Sequence, residues 1–254
     1  MGKTTTAVNL AAALAIAEKK TLLVDWDPQG NATTGMGVER NLSAISLYNA
    51  VTGKAGIREA VVPSEMPYLE TAPSGADLLK VEFDHQGVKD KEYLLRNALR
   101  DVSPSYDYIV VDPPPSLGLL SLNALAAADL LVIPLQCEFF ALEGLSRFIF
   151  LVNKIRGALN PSLEIAGILL TMLDEQERIS AQIAEKIRCG FGDLVFKTAI
   201  PRNRHVKEFG CKGKPLLFQK LSPEARSYCR VAQEFLERKG NGNEDHRCRS
   251  HQER

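Results

Sequence analysis

Met1-Gly2-Lys3-Thr4-Thr5-Thr6 opens the chain, and its reading decides the fold. A complete phosphate-binding loop reads G-x-x-x-x-G-K-[ST]. Its glycines let backbone N–H groups wrap an anion, its Lys reaches the β/γ-phosphates, and its hydroxyl holds Mg²⁺. Of that pattern only Gly2-Lys3-Thr4 stands here. Thr5 to Ala17 follows as an alanine-rich apolar run. That composition predicts a buried helix with the phosphates at its N-terminus. A G-K-T-T tetrapeptide also arises by chance, so its meaning rests on the rest of the chain.

Two more segments bear on it. Thr21 to Val24 is a short apolar, β-branched run that reads as a buried strand. It ends in Asp25-Trp26-Asp27-Pro28-Gln29-Gly30-Asn31, where Pro28 and Gly30 break the strand into a loop. Carboxylates two residues apart at a strand end point the same way. Beside a phosphate loop they suit Mg²⁺ or an attacking water; alone they would read equally well as a solvated turn. A second apolar run, Tyr106 to Val111, ends in Asp112-Pro113-Pro114-Pro115-Ser116. One Asp after an apolar strand matches a Walker B carboxylate that holds Mg²⁺, or else a simple turn residue. Three prolines force a loop there in either case.

Outward from these segments, strand-like and helix-like stretches alternate. Strands are predicted at 21–26, 68–72, 106–111, 130–135, 165–172 and 195–200. Helices are predicted near 4–19, 88–101, 117–127, 141–157, 176–190 and 222–238. Such alternation predicts an α/β fold, a mostly parallel sheet with helices on both faces. Ligands in such sheets sit at the carboxyl ends of the strands, where Asp25, Asp27 and Asp112 all fall. The expected division is one domain over 1–238 and a polar, disordered tail over 239–254.

The 254 residues are 45% hydrophobic, enough for a sizeable core. Lys plus Arg and Asp plus Glu are equal at 31 each, so global charge gives no nucleic-acid signal. Cysteines at 137, 189, 211, 229 and 248 form no C-x-x-C pair, which fits reduced thiols rather than a disulfide framework or metal cluster. No window approaches the ~18 apolar residues of a membrane span, and no signal-peptide layout is present.

Taken together, the motifs resemble those of the ParA/Soj partition ATPases, the deviant Walker A class of P-loop NTPases related to MinD. The supporting words are Gly2-Lys3-Thr4-Thr5-Thr6-Ala7-Val8-Asn9-Leu10, Asp25 to Thr33, Asp112 to Gly118, Leu122-Asn123-Ala124-Leu125, Ile133 to Gly144 and Ile200-Pro201-Arg202-Asn203, in family order over residues 1 to 238. The resemblance implies ATP and Mg²⁺ as ligands. Gly2, Lys3, Thr4 and Thr5 would present backbone N–H groups, and Lys3 would reach the β/γ-phosphates. The Thr4 hydroxyl and Asp112 would hold Mg²⁺. Asp25 would support that shell or act as a structural turn acid. Lys3 and Asp27 would be the catalytic pair, with Asp27 positioning the water. Pro201, Arg202 and Asn203 would lie against the adenine.

In this family a strand leads into K-G-G-V-G-K-T-T. Two readings stay open: a start placed downstream of the true one, so that the upstream frame encodes an apolar strand and Lys-Gly-Gly, or a hydrolysis-defective remnant with half its loop. Removing a strand from inside a sheet leaves its neighbours without ladder partners, at about 1–3 kcal/mol per buried unpaired group.

From Lys197 to Lys214 there are six Lys/Arg (197, 202, 204, 207, 212 and 214) against Glu208 alone. Such a patch suits sequence-independent phosphate contacts, or is simply a solvated face. With the resemblance, Arg202, Arg204, Lys207, Lys212 and Lys214 become the DNA-binding candidates. Leu173-Asp174-Glu175-Gln176-Glu177 and His205-Val206-Lys207-Glu208-Phe209-Gly210-Cys211 depart from the family pattern. The implied function is an ATP-dependent partition switch: a cytoplasmic, nucleoid-associated homodimer that binds nonspecific DNA and answers to a ParB/Spo0J-type stimulating partner. A ParA-like ATPase that positions other cellular cargo is the alternative. A membrane-bound switch would need an amphipathic C-terminal anchor, and the stretch after Arg238 has no apolar face.

Overall fold

The computed structural model describes residues 2–39, 45–84, 87–138, 140–174, 176–202, 215–218 and 222–249, residue 218 and the stretch 240–249 by their backbone alone. Helix α1 spans Lys3–Ile16 and is buried on every side from Thr6 to Ala15. An all-round apolar helix belongs in a core, and alanine lets it approach the sheet closely. Strand β1 (Thr21–Asp25) is wholly buried. It is flanked in parallel by β3 (Leu69–Ala72) and β4 (Tyr108–Asp112), with Asp25 opposite Asp112. A two-residue strand β2 (Val62–Pro63) adds antiparallel to the far side of β3, giving the order β2-β3-β1-β4. Strands β5 (Leu130–Gln136) and β6 (Glu164–Thr171) form a second, parallel pair. The fold is α/β with a mostly parallel sheet, as predicted.

The sheet is divided between β4 and β5. Among the described residues neither strand is paired on its outer edge. Four of the five residues of β4 and six of the seven of β5 are only partly buried, whereas β1 is buried throughout. One apolar cluster nevertheless bridges the division. It joins α1 and the final helix α10 (Pro223–Arg249) to Leu23 and Leu69, to Tyr108 and Val110 of β4, and to Leu130 and Val132 of β5.

Strand periodicity sends the alternate residues to the opposite face. There Leu22, Val24, Ile109 and Val111 meet α3 (Leu47–Val51), α6 (Leu94–Leu99) and α7 (Leu119–Ala127). Leu131, Ile133, Ile168 and Leu170 meet α8 (Ala141–Ala158) and α9 (Arg178–Phe191). Helices therefore cover both faces. Three further short helices, α2 (Asn31–Gly35), α4 (Ile57–Ala60) and α5 (Lys80–Asp84), lie in the connections. No described helix is long and apolar enough to cross a membrane.

Two expectations need correction. Residues 195–200 run beside β6 but form no strand; only bridges at Val195 and Pro201 occur. The Phe196 and Ile200 amides do bond to the Ile168 and Leu170 carbonyls. The amides of Lys197 and Thr198 between them donate instead to the Glu234 carboxylate at 2.8 and 3.1 Å, which interrupts the ladder. At the other end, α10 continues to Arg249, past the helix end predicted near 238. Its first turns are anchored by buried Ala225, Tyr228, Val231, Ala232 and Phe235. Once such a nucleus exists, each added residue gains a backbone bond at little further cost.

Candidate functional site

The carboxyl ends of β1 and β4 meet the N-terminus of α1. Gly2 caps that helix at φ +99°, a conformation natural to glycine. The first helical bond runs from Thr6 N to Gly2 O at 2.8 Å. The amides of Lys3, Thr4 and Thr5 therefore have no partner within the helix. No side chain caps them, and the first turn holds no acid. Helix ends of this kind attract anions through both free N–H groups and the helix dipole.

Lys3 is held at this mouth. Its ammonium donates to the Pro114 carbonyl at 2.9 Å, on the proline loop that follows β4. Partial burial lowers its pKa, against the opposing pull of the Asp112 and Asp27 charges.

Asp112, at the end of β4, is completely buried, and neither carboxylate oxygen has a hydrogen-bond partner among the described residues. Burial is the main force raising its pKa, to about 7, with the charges of Asp25 and Asp27 acting in the same direction. The nearby Thr4 hydroxyl and Lys3 ammonium work the other way. Thr4 stands close enough to favour the ionised form but does not meet hydrogen-bond geometry with either oxygen. A buried carboxylate without a donor is expensive and suits a hard cation that takes oxygen ligands.

Asp25, its register partner, is in the opposite state. Its carboxylate accepts from the Thr33 amide and the Thr33 hydroxyl, both at 2.6 Å, and from the Asp27 amide at 3.3 Å. Burial raises its pKa as the largest influence, and the Thr33 bonds oppose that. Thr33 Oγ1 in turn accepts from the Ser74 amide at 2.9 Å, tying the loop to the end of β3. Trp26 points the other way into the core and donates to Leu120 O at 2.8 Å. Asp27 is buried and accepts from the Gln29 amide at 2.9 Å; the effects of its charge on Lys3 and Asp112 place it at the same mouth.

Residues 1–165 match the AAA domain family. The chromosome partitioning protein ParA of Myxococcus xanthus is 45% identical over 239 residues, covering 94% of this chain and 84% of its own. The sporulation initiation inhibitor protein Soj of Bacillus subtilis is 42% identical over 235 residues, 92% of this chain and 93% of its own.

The chain belongs to the ParA/Soj family of chromosome-partitioning ATPases.

Among solved structures, cobyrinic acid a,c-diamide synthase from Mycobacterium smegmatis with bound ADP and magnesium is 29% identical and superposes with a TM-score of 0.81. That match covers 95% of this chain and 91% of the other. In this ParA/Soj chain, Gly2, Lys3, Thr4, Thr5, Asp25, Asp27 and Asp112 are gathered at one mouth. Pro201 and Arg202 stand elsewhere along the same strand ends. Pro201 bridges Leu173, the Arg202 amide donates to Leu173 O at 2.9 Å, and the exposed Arg202 guanidinium pairs with Glu177 at 3.8 Å. Asn203, Arg204, Lys207, Lys212 and Lys214 lie outside the described residues. Sequence reasoning missed Thr33 as the partner of Asp25 and the Pro114 carbonyl as the partner of Lys3. Thr33 closes the Asp25-to-Thr33 motif, but nothing about a Thr eight residues on announces the contact.

Proposed function

We propose that this chain is an ATP-driven partition switch, binding Mg-ATP at the N-terminus of α1 and hydrolysing it to control its hold on DNA. The observation that carries the reading is the buried Asp112, without a hydrogen-bond partner among the described residues, beside Lys3 and the free amides of α1. This donor set fits a cation–phosphate pair: anion donors on one side and an unsatisfied carboxylate on the other. Lys3, Thr4 and Thr5 would bind phosphoryl oxygens, with Lys3 exchanging the Pro114 carbonyl for the β/γ-phosphates. Asp112 and the Thr4 hydroxyl would hold Mg²⁺, which when bound neutralises phosphate charge. Asp27 would orient the attacking water and accept its proton. Asp25 would hold the loop that carries Asp27. Pro201, Arg202 and Asn203 would border the base.

ATP-dependent dimerisation would bring two basic segments (Arg202, Arg204, Lys207, Lys212, Lys214) to one surface for nonspecific duplex binding, keeping the protein on the nucleoid. A ParB-type partner would stimulate hydrolysis and release. The test is fluorescence anisotropy of duplex DNA with and without ATP over a salt series. The expected result is ATP-dependent, sequence-independent binding. Neutralising Arg204 and Lys207 should flatten its salt slope by about one unit for each DNA phosphate no longer paired with a cation. ATP-bound protein that ignores DNA at ~50 mM salt, where such pairing is strong, would replace DNA partition by the positioning of other cargo.

A further inference from the structure

Thr171 ends β6, opposite Gln136 at the carboxyl end of β5. It is 2% exposed, and its hydroxyl is buried without a hydrogen-bond partner among the described residues. This hydroxyl faces Gly2, the cap of α1: a β-carbon placed on Gly2 would lie 3.3 Å from Thr171 Oγ1. Immediately after it Met172 takes φ +53°, a left-handed conformation rare for an unbranched apolar residue. The chain thus turns sharply just past the point where the hydroxyl meets the cap.

An unpaired buried hydroxyl is unfavourable unless another state of the protein gives it a partner. The neighbouring groups that an anion would engage are the Gly2 cap and the free amides of Lys3, Thr4 and Thr5 at the start of α1. We propose that Thr171 is a positioning residue of the phosphate site, its hydroxyl bonding the Gly2 backbone at the cap of α1 when phosphate seats on that helix. The β5–β6 pair would then contribute directly to nucleotide binding, although Asp25, Asp27 and Asp112 all come from the other sheet. The inference rests on the Mg-ATP reading above and names the residue that orders its loop.

Thr171→Val removes the hydroxyl and keeps the shape; Thr171→Ser keeps the hydroxyl. The measurements are thermal melting of the free protein, the melting shift produced by Mg-ATP, and titration with a fluorescent ATP analogue. Thr171→Val should melt at or above the wild-type temperature when free, because an unpaired polar group is gone. Its affinity for Mg-ATP should fall about tenfold, the size of one missing hydrogen bond to an ordered loop, and its melting shift should shrink in step. Thr171→Ser should bind within about threefold of wild type, a hydrogen bond being retained. Wild-type affinity in Thr171→Val overturns the proposal. So does a lower melting point of free Thr171→Val with undiminished affinity, which marks a purely structural hydroxyl. If the wild-type protein shows no melting shift and no titration with Mg-ATP, the ATP reading itself falls and takes this inference with it.

Discussion

The ends of β1 and β4 carry the same residue in the same register, and the two carboxylates live in opposite conditions. Asp25 and Asp112 face each other across the sheet, both fully buried. Asp25 is saturated by Thr33 and the Asp27 amide; among the described residues Asp112 has no donor in hydrogen-bonding geometry, the Thr4 hydroxyl only standing nearby. The lesson is that burial alone does not assign a role. The partners differ where the burial does not, and under the proposed function that difference separates Asp25, which would hold its loop, from Asp112, which would hold a cation.

Breaking Asp25 should have the largest effect. Asp25→Ala strands the Thr33 amide inside the protein and deprives its hydroxyl of an acceptor, at about 1–3 kcal/mol for each buried group. Urea denaturation should show a loss of about 3 kcal/mol, large against a typical total of about 5–15 kcal/mol. A loss below about 1 kcal/mol, the scale of a single net hydrogen bond, would erase the contrast with Asp112.

Asp27 sharpens the comparison from the loop that Asp25 holds. Asp27→Ala should lower ATP turnover about a hundredfold or more, the range for removing a proton-accepting group. Mg-ATP affinity should stay near wild type. Unchanged turnover would return the water-positioning role to another group.

Asp112→Asn should leave the free protein as stable as wild type or about 1 kcal/mol more so, because a buried unpaired charge is removed. It should weaken ATP binding with Mg²⁺ and leave binding without Mg²⁺ nearly unchanged. A clear loss of stability in the free protein would show that Asp112 too is a structural acid.

The same contrast appears in pH. Asp112 titrates near 7 in the folded protein, against about 4 for an unfolded Asp. Between those values the folded state keeps a proton that the unfolded state has released. Stability therefore falls as pH rises from about 4 and levels off above about 7. Asp25 acts in the same direction, its pKa being raised as well. Denaturation midpoints at about pH 5.5 and about pH 8, on either side of the folded value, should differ less in Asp112→Asn than in wild type. Equal differences would show that Asp112 is not the titrating group. The smallest effect belongs to Arg202, whose pair with Glu177 is exposed on both sides. Arg202→Ala should cost under about 0.5 kcal/mol while weakening nucleotide or DNA binding, which separates surface stability from ligand recognition.

Much of this was legible in the chain. The alanine-rich run after Lys3, the apolar strands ending in Asp25 and Asp112, and the alternation around them determine the α/β fold and the end of the sheet where the site lies. They do so because period, propensity and strand direction are local properties of sequence. Family order then joins Gly2, Lys3, Thr4, Asp27 and Asp112 into one site. Strand content at 195–200 was not legible, because Glu234, 36 and 37 residues on, claims the amides a ladder would need. Nor was the helix beyond 238, which depends on an anchored first half. Tertiary structure alone decided which of two like carboxylates is satisfied, that Lys3 rests on the Pro114 carbonyl, and that Thr171 faces Gly2 from a different sheet. Each of these depends on which donor happens to stand within about 3 Å after packing, and neighbours in sequence do not fix that distance.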